Sequence, residues 1–163
     1  MKILIAYATR SGSTAEAAAL LQKKLDNAEL VDITKRSAQR KCRVNDYDGV
    51  IVGGPVRMGQ LDSSLISFIS ENKEVIAAKK HAFFILNFFE EHTAEYLATL
   101  YPRSLSETGF VASFGARIDM KRLKGIDRVM MKMVEKQNGA APSPTLDLAA
   151  IDDFAARFNQ LSW

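Results

Sequence analysis

Residues 9 to 14 read Thr-Arg-Ser-Gly-Ser-Thr. Four hydroxyls, from Thr9, Ser11, Ser13 and Thr14, and one glycine, Gly12, share six positions. They follow an apolar run at 3–8 and lead directly into an alanine-rich segment. Hydroxyls, backbone N–H groups, a glycine that permits close approach and a helix N-terminus all donate to an anion. That set suits a phosphate. No lysine follows Gly12, so this is not a Walker loop, and no G-x-G-x-x-G pattern is present. Arg10 stands inside the stretch, yet neutral donors and a helix dipole suffice for a dianion. Taken alone, the same residues fit a serine-rich turn that caps a helix equally well.

Few other residues advertise chemistry. The single cysteine, Cys42, lies between Lys41 and Arg43. Those cations could lower a thiol pKa, although a spare half-buried cysteine fits as well. The two histidines, His81 and His92, are isolated, and no metal site is expected. No acid–base pair stands out, so the catalytic residues stay unassigned.

The elements that must position the hydroxyl-rich stretch follow from periodicity. The run at 3–8 is continuously apolar, as in strands buried on both faces of a parallel sheet. A helix is expected over 13–27, capped by Ser13 or Thr14, with Leu21 and Leu25 on one face. Further strands are expected at 28–34, 46–55, 81–89 and 108–116, with Gly53, Gly54 and Pro55 ending the third. Helices are expected at 63–80, 90–105 and 146–163. Five strand–helix alternations predict a parallel sheet covered on both faces. Ligands of such sheets bind beyond the carboxyl ends of the strands, where the strand order reverses. One stretch, 117–138, exceeds this plan. It is an amphipathic segment with seven Lys or Arg against three Asp or Glu, hence +4 by count. A linker is expected at 139–145.

Composition sets the outer bounds. A chain of 163 residues suits one domain, 1–163, large enough to need neither metal nor disulfide to fold. At 47% hydrophobic residues it is not a disordered chain. No apolar run approaches the roughly 20 residues of a membrane span. The N-terminal Met-Lys-Ile-Leu-Ile-Ala lacks signal-peptide length, so a cytoplasmic protein is expected. The net charge of +3 is mild, and no nucleic-acid partner is expected.

At this point two motifs meet. Thr-Arg-Ser-Gly-Ser-Thr after a first strand resembles the phosphate loop of the flavodoxins, and Asp-Tyr-Asp-Gly-Val-Ile-Val-Gly-Gly-Pro at 46–55 resembles their third strand and its glycine-rich loop. The segment 114–139, Phe-Gly-Ala-Arg onward through Asp127, Arg128 and Met130, resembles the C-terminal part of the flavodoxin-like, menaquinone-dependent protoporphyrinogen dehydrogenases. Val-Arg-Met-Gly at 56–59 resembles their Ile-Arg-Tyr-Gly turn. The resemblance implies an α/β, flavodoxin-like three-layer sandwich. Its five-stranded parallel sheet would run in the order 2-1-3-4-5, with 117–138 as an inserted basic helical segment before the last helix. A phospho-receiver domain shares that order but needs acidic residues at the end of the first strand, where Tyr7, Ala8 and Thr9 stand.

The resemblance implies FMN as cofactor. Thr9, Ser11, Gly12, Ser13 and Thr14 would hold its phosphate, and Arg10 would add a backbone amide. Pro55, Val56, Arg57, Met58 and Gly59 would lie along one face of the isoalloxazine. Asn87, Phe88, Phe89 and Glu90 would line the other face or the ring edge, and Gly115, Ala116 and Arg117 would approach from the fifth strand. Met58 stands where those relatives have tyrosine, though a methionine also contacts rings. Phe88 and Phe89 fit either the flavin or the core.

Two functions then remain open. One is an FMN-dependent oxidoreductase that passes electrons from an organic substrate to a quinone or other acceptor. The other is a flavodoxin that carries electrons without a substrate of its own. Arg57 and Arg117 suit carboxylates of a substrate. Together with Lys121 and Arg122 they would make an anionic reduced flavin less costly and raise its two-electron potential. The 117–138 segment fits a packed helix, a lid on the flavin edge, or a peripheral contact with an anionic membrane.

Overall fold

A computed structural model describes residues 1–87, 90–115, 129, 132–133 and 145–162. The chain alternates strands and helices in the order β1 (Ile3–Tyr7), α1 (Ser13–Gln22), β2 (Ala28–Asp32), α2 (Arg36–Lys41), β3 (Gly49–Arg57), β4 (Gln60–Leu61), α3 (Ser63–Ala77), β5 (Lys80–Leu86), α4 (Thr93–Thr99), α5 (Arg103–Ser106), β6 (Val111–Ser113) and α6 (Leu148–Gln160). Short 3-10 turns at Val44–Asp46 and Glu90–His92 precede β3 and α4. Five strands pair in parallel in the order β2-β1-β3-β5-β6, and the two-residue β4 folds back antiparallel on the end of β3. Counting the parallel strands alone, this is the expected 2-1-3-4-5 order.

The continuous apolar runs are explained by two cores, one on each face of the sheet. Along β1, Ile3 and Ile5 join Ala17, Ala18 and Leu21 of α1 and Ile151, Phe154 and Phe158 of α6. Leu4 and Ala6 point the other way, into a cluster with Leu65, Phe68 and Ile76 of α3 and with Tyr101 and Leu105. A strand with helices over both faces has no polar side, so alternation disappears. Aromatic rings cement each face. Phe84 stacks on Phe114 at 4.7 Å on one, and Phe83 on Tyr101 at 4.5 Å on the other.

Several expected boundaries move, each for a local reason. Gly53 and Gly54 do not end β3; the strand runs on to Arg57 and keeps pairing with β5 as far as Pro55 opposite Leu86. The glycines serve packing instead. A Cβ at Gly53 would lie 2.2 Å from the Phe84 ring, and one at Gly54 would lie 2.4 Å from Leu65 Cδ1. Helix α1 stops at Gln22 rather than 27, because the chain turns through Asn27 at φ 58° into β2. The helix expected over 90–105 breaks in two. Tyr101 leaves the helical path to enter the core, where its hydroxyl donates to the Phe84 carbonyl at 2.8 Å, and Pro102 restarts α5. Strand β6 is only three residues long. On its near side Gly109 packs against His81, whose backbone oxygen would be 2.3 Å from an added Cβ; on its far side Gly115 turns at φ 72°. The short α2 had no sequence signature, since it buries no residue fully.

His81 itself is buried, with Nδ1 2.8 Å from the Lys79 carbonyl and Nε2 2.8 Å from the Leu105 carbonyl. It ties α5 to the start of β5. Cys42 does not become the activated thiol that its flanking cations suggested. Burial pushes its pKa up, Glu29 and Asp46 push it further, and only Lys2 opposes them. Among the described residues, no helix is long and apolar enough to cross a membrane.

Candidate functional site

The carboxyl ends of β1, β3, β5 and β6 lie along one edge of the sheet, and the candidate residues collect there. The order reverses between β1 and β3, since β2 lies to one side and β5 and β6 to the other. The 9–14 loop leaves β1 at that switch point. Ala8 donates its amide to the Gly53 carbonyl at 3.1 Å, so the loop starts against β3.

The loop is closed from within. Thr9 Oγ1 accepts the Gly12 amide at 3.1 Å, and the Ser11 and Ser13 hydroxyls lie 3.4 Å apart. Gly12, at φ 92°, takes a left-handed conformation that a side chain would resist. It also corrects the expected cap: the N-cap of α1 is Gly12, and Ser13 and Thr14 are buried residues of the first turn. The glycine N-cap makes no side-chain cap bond, whereas Asp62 caps α3 and Asp147 caps α6. The first intrahelical bond runs from the Glu16 amide to the Gly12 carbonyl. The Thr14 and Ala15 amides therefore point beyond the helix end without an acceptor among the described residues. Uncapped amides, a positive dipole end and clustered hydroxyls are the donor set that a phosphate requires. These residues fit the FMN phosphate.

The second expected loop is a tight hairpin. Val56 and Arg57 pair with Leu61 and Gln60, leaving Met58 and Gly59 as the two turn residues, at φ 50° and 72°. Two positive φ angles are the mark of the turn that matches strand twist, and asparagine–glycine is its usual sequence. Met58 instead projects a large apolar side chain, 82% exposed, from a backbone that methionine rarely adopts.

The third group meets around Asn87, which is buried at the end of β5. Its Nδ2 donates to Thr93 Oγ1 at 2.7 Å, and its Oδ1 accepts from the Ser113 hydroxyl at 2.6 Å. Its amide donates to the Gly115 carbonyl at 3.1 Å. Asn87 therefore joins the loop after β5 to the end of β6. It is a brace, as its burial shows. Gly115 makes an isolated bridge with Leu146, and an added Cβ there would meet the Thr145 carbonyl at 2.9 Å. Phe88, Phe89, Ala116 and Arg117 lie outside the described residues, as do Lys121, Arg122 and most of 117–138. Of that segment Val129, Lys132 and Met133 are described; they are helical and exposed.

Asp62, Ser64, Thr93 and Ser113 were not among the expected site residues. Asp62 had a local signal, an acid directly before an apolar helix. Its carboxylate accepts from the Ser64 amide at 3.0 Å and hydroxyl at 2.6 Å, and from Arg10 Nε at 2.8 Å. The Arg10 contact spans 52 residues and had no signal. Burial alone would push the Asp62 carboxyl up, but the Ser64 donors and the Arg10 guanidinium outweigh it and hold it below its ordinary value.

A parallel sheet wound in this order, with a hydroxyl-rich loop and uncapped helix at its switch point, defines the flavodoxin-like class of α/β proteins. The family model described as a flavodoxin domain matches residues 4–145, and the chain belongs to that family. It is 24% identical over 147 residues to the protoporphyrinogen IX dehydrogenase [quinone] of Escherichia coli K12, covering 85% of this chain and 81% of that protein. Among solved structures it resembles oxidised flavodoxin 2 from Bacillus cereus, with a TM-score of 0.54, 20% identity and coverage of 98% and 99%. It also resembles Fusobacterium nucleatum flavodoxin bound to flavin mononucleotide, with a TM-score of 0.57, 11% identity and coverage of 98% and 97%.

Proposed function

We propose that this protein is an FMN-dependent oxidoreductase that takes electrons from an organic substrate and delivers them to a quinone or a similar small acceptor. The observation that carries the cofactor is the uncapped start of α1 behind the Thr9–Thr14 loop, at the switch point of a flavodoxin-family sheet. Kinship with a quinone-linked protoporphyrinogen IX dehydrogenase over most of both chains supports the substrate class. FMN, when bound, supplies one- and two-electron transfer.

The chain's own residues do the rest. The amides and hydroxyls of residues 9–14 hold the phosphate. The Val56–Leu61 hairpin covers one face of the ring with Met58. Asn87 fixes the loop on the opposite side through Thr93 and Ser113. Arg57 and Arg117 offer guanidinium groups to an acidic substrate. The sequence of 117–138 adds an excess of four positive charges, which suits an acidic substrate or an anionic membrane surface.

The test starts with the visible spectrum of the protein purified without added cofactor, followed by titration with FMN and FAD. A flavin spectrum with FMN preferred supports the reading. Bleaching by a porphyrinogen and recovery with a quinone then establish the enzyme. Reduction by a protein donor with no turnover of any small substrate would instead indicate an electron carrier. Failure to bind flavin at saturation would overturn the cofactor reading.

A further inference from the structure

Arg10 is the one charged residue of the 9–14 loop, and its side chain has a defined place. Nε donates to Asp62 Oδ2 at 2.8 Å. Asp62 is itself fixed. Its side chain is 4% exposed, its Oδ1 takes both Ser64 donors, and its backbone is the N-cap of the 15-residue α3. Both carboxylate oxygens are engaged, so the acid cannot turn without breaking the helix cap. Arg10 is therefore anchored to a rigid element. Nε accounts for one of the five guanidinium donors. The four Nη hydrogens have no acceptor among the described residues, and the side chain is 54% exposed. An orienting carboxylate behind a guanidinium whose Nη edge faces outward is the arrangement that presents two parallel donors to a phosphate.

We propose that Asp62 is a positioning residue for phosphate recognition: it holds the Arg10 guanidinium at the mouth of the 9–14 loop, where the two Nη groups contact the phosphate of the cofactor. This rests on the FMN reading and goes further, since it gives the loop a cationic side-chain donor beyond its amides and hydroxyls. It also predicts that the site prefers phosphorylated to unphosphorylated flavin. Riboflavin presents no group to Arg10. The depressed Asp62 pKa is consistent with a carboxylate kept ionised for this task.

Asp62→Asn is the informative variant. Asparagine still accepts from Ser64 and remains a good N-cap, but its amide cannot accept from Arg10. Dissociation constants for FMN and riboflavin are measured by flavin fluorescence for the wild type, Asp62→Asn, Arg10→Gln and the double variant. Loss of one charge-assisted contact corresponds to a drop in FMN affinity of about tenfold in each single variant. Riboflavin affinity stays within about twofold, and the double variant binds FMN no more weakly than Arg10→Gln. Unchanged or tighter FMN binding by Asp62→Asn overturns the proposal, because Asp62 would then merely neutralise Arg10. Parallel loss of riboflavin, or additive losses, overturns it too. Should the wild type bind neither flavin, the cofactor reading fails by itself, and inorganic phosphate becomes the probe. Thermal stabilisation of the wild type but not of Asp62→Asn by phosphate then supports the positioning role; equal shifts, or none in either, overturn it.

Discussion

Met58 and Asp62 lie four positions apart and are opposites. Met58 is strained and exposed; the Asp62 side chain is nearly covered and bonded at both oxygens. A non-glycine residue in the left-handed region costs about 1 kcal/mol. Met58→Asn should raise the melting temperature of the flavin-free protein by about 2 °C, since asparagine tolerates that turn position. The same variant should weaken flavin binding by removing the apolar contact. Calorimetry with and without FMN checks both; a variant that gains stability and loses no affinity would show that Met58 does not touch the ring. Asp62 gives a pH prediction. Its folded pKa is lowered, so the unfolded chain takes up the proton more readily. Its stabilisation is complete above its unfolded value of about 4 and is lost as pH falls through the lower folded value. Urea unfolding at pH 6 down to pH 3 should show an acid-side fall that is shallower in Asp62→Asn.

Element by element, β3 carries tolerances set by Gly53 and Gly54. An alanine methyl at Gly53 would lie within 2.3 Å of three atoms of the Phe84 ring, which is itself stacked on Phe114. At Gly54 the close contact is Leu65 Cδ1, the end of a side chain that can rotate. Overpacking of this kind costs about 1–3 kcal/mol. Gly53→Ala should lie at the upper end of that range and Gly54→Ala at the lower, as measured by chemical denaturation. The reverse order would mean that Leu65 is held more firmly than the ring. Apart from α2 and β4, strand and helix identities were legible, because the apolar runs of the central strands are buried between two helical layers. Their ends were not. They depend on Tyr101 reaching Phe84, on Gly109 packing against His81 and on Asn27 turning, and periodicity carries no record of such contacts.

Taken whole, the molecule is mildly basic, with a net charge of +3. Cations near a flavin lower the cost of its reduced anion. Arg57 stands at the hairpin, and the 117–138 segment adds seven more basic residues against three acidic ones. The two-electron potential of the FMN form should therefore lie above that of an acidic flavodoxin. Potentiometric titration checks this, and a hydroquinone couple as low as an acidic carrier's would show that these charges face away from the ring.

The residue pattern by itself determined the class of fold, a parallel sheet covered on both faces, and the resemblance of its motifs to the flavodoxins supplied the strand order. The class follows from local chemistry, because apolar runs of strand length alternate with helical segments. The tertiary structure alone decided how the site is held. Arg10 finds Asp62 across 52 residues, Asn87 finds Ser113 across 26, and Gly12 rather than Ser13 or Thr14 takes the N-cap of α1. Such pairings depend on where separate strands end in space, and a linear sequence specifies that only through the packed sheet.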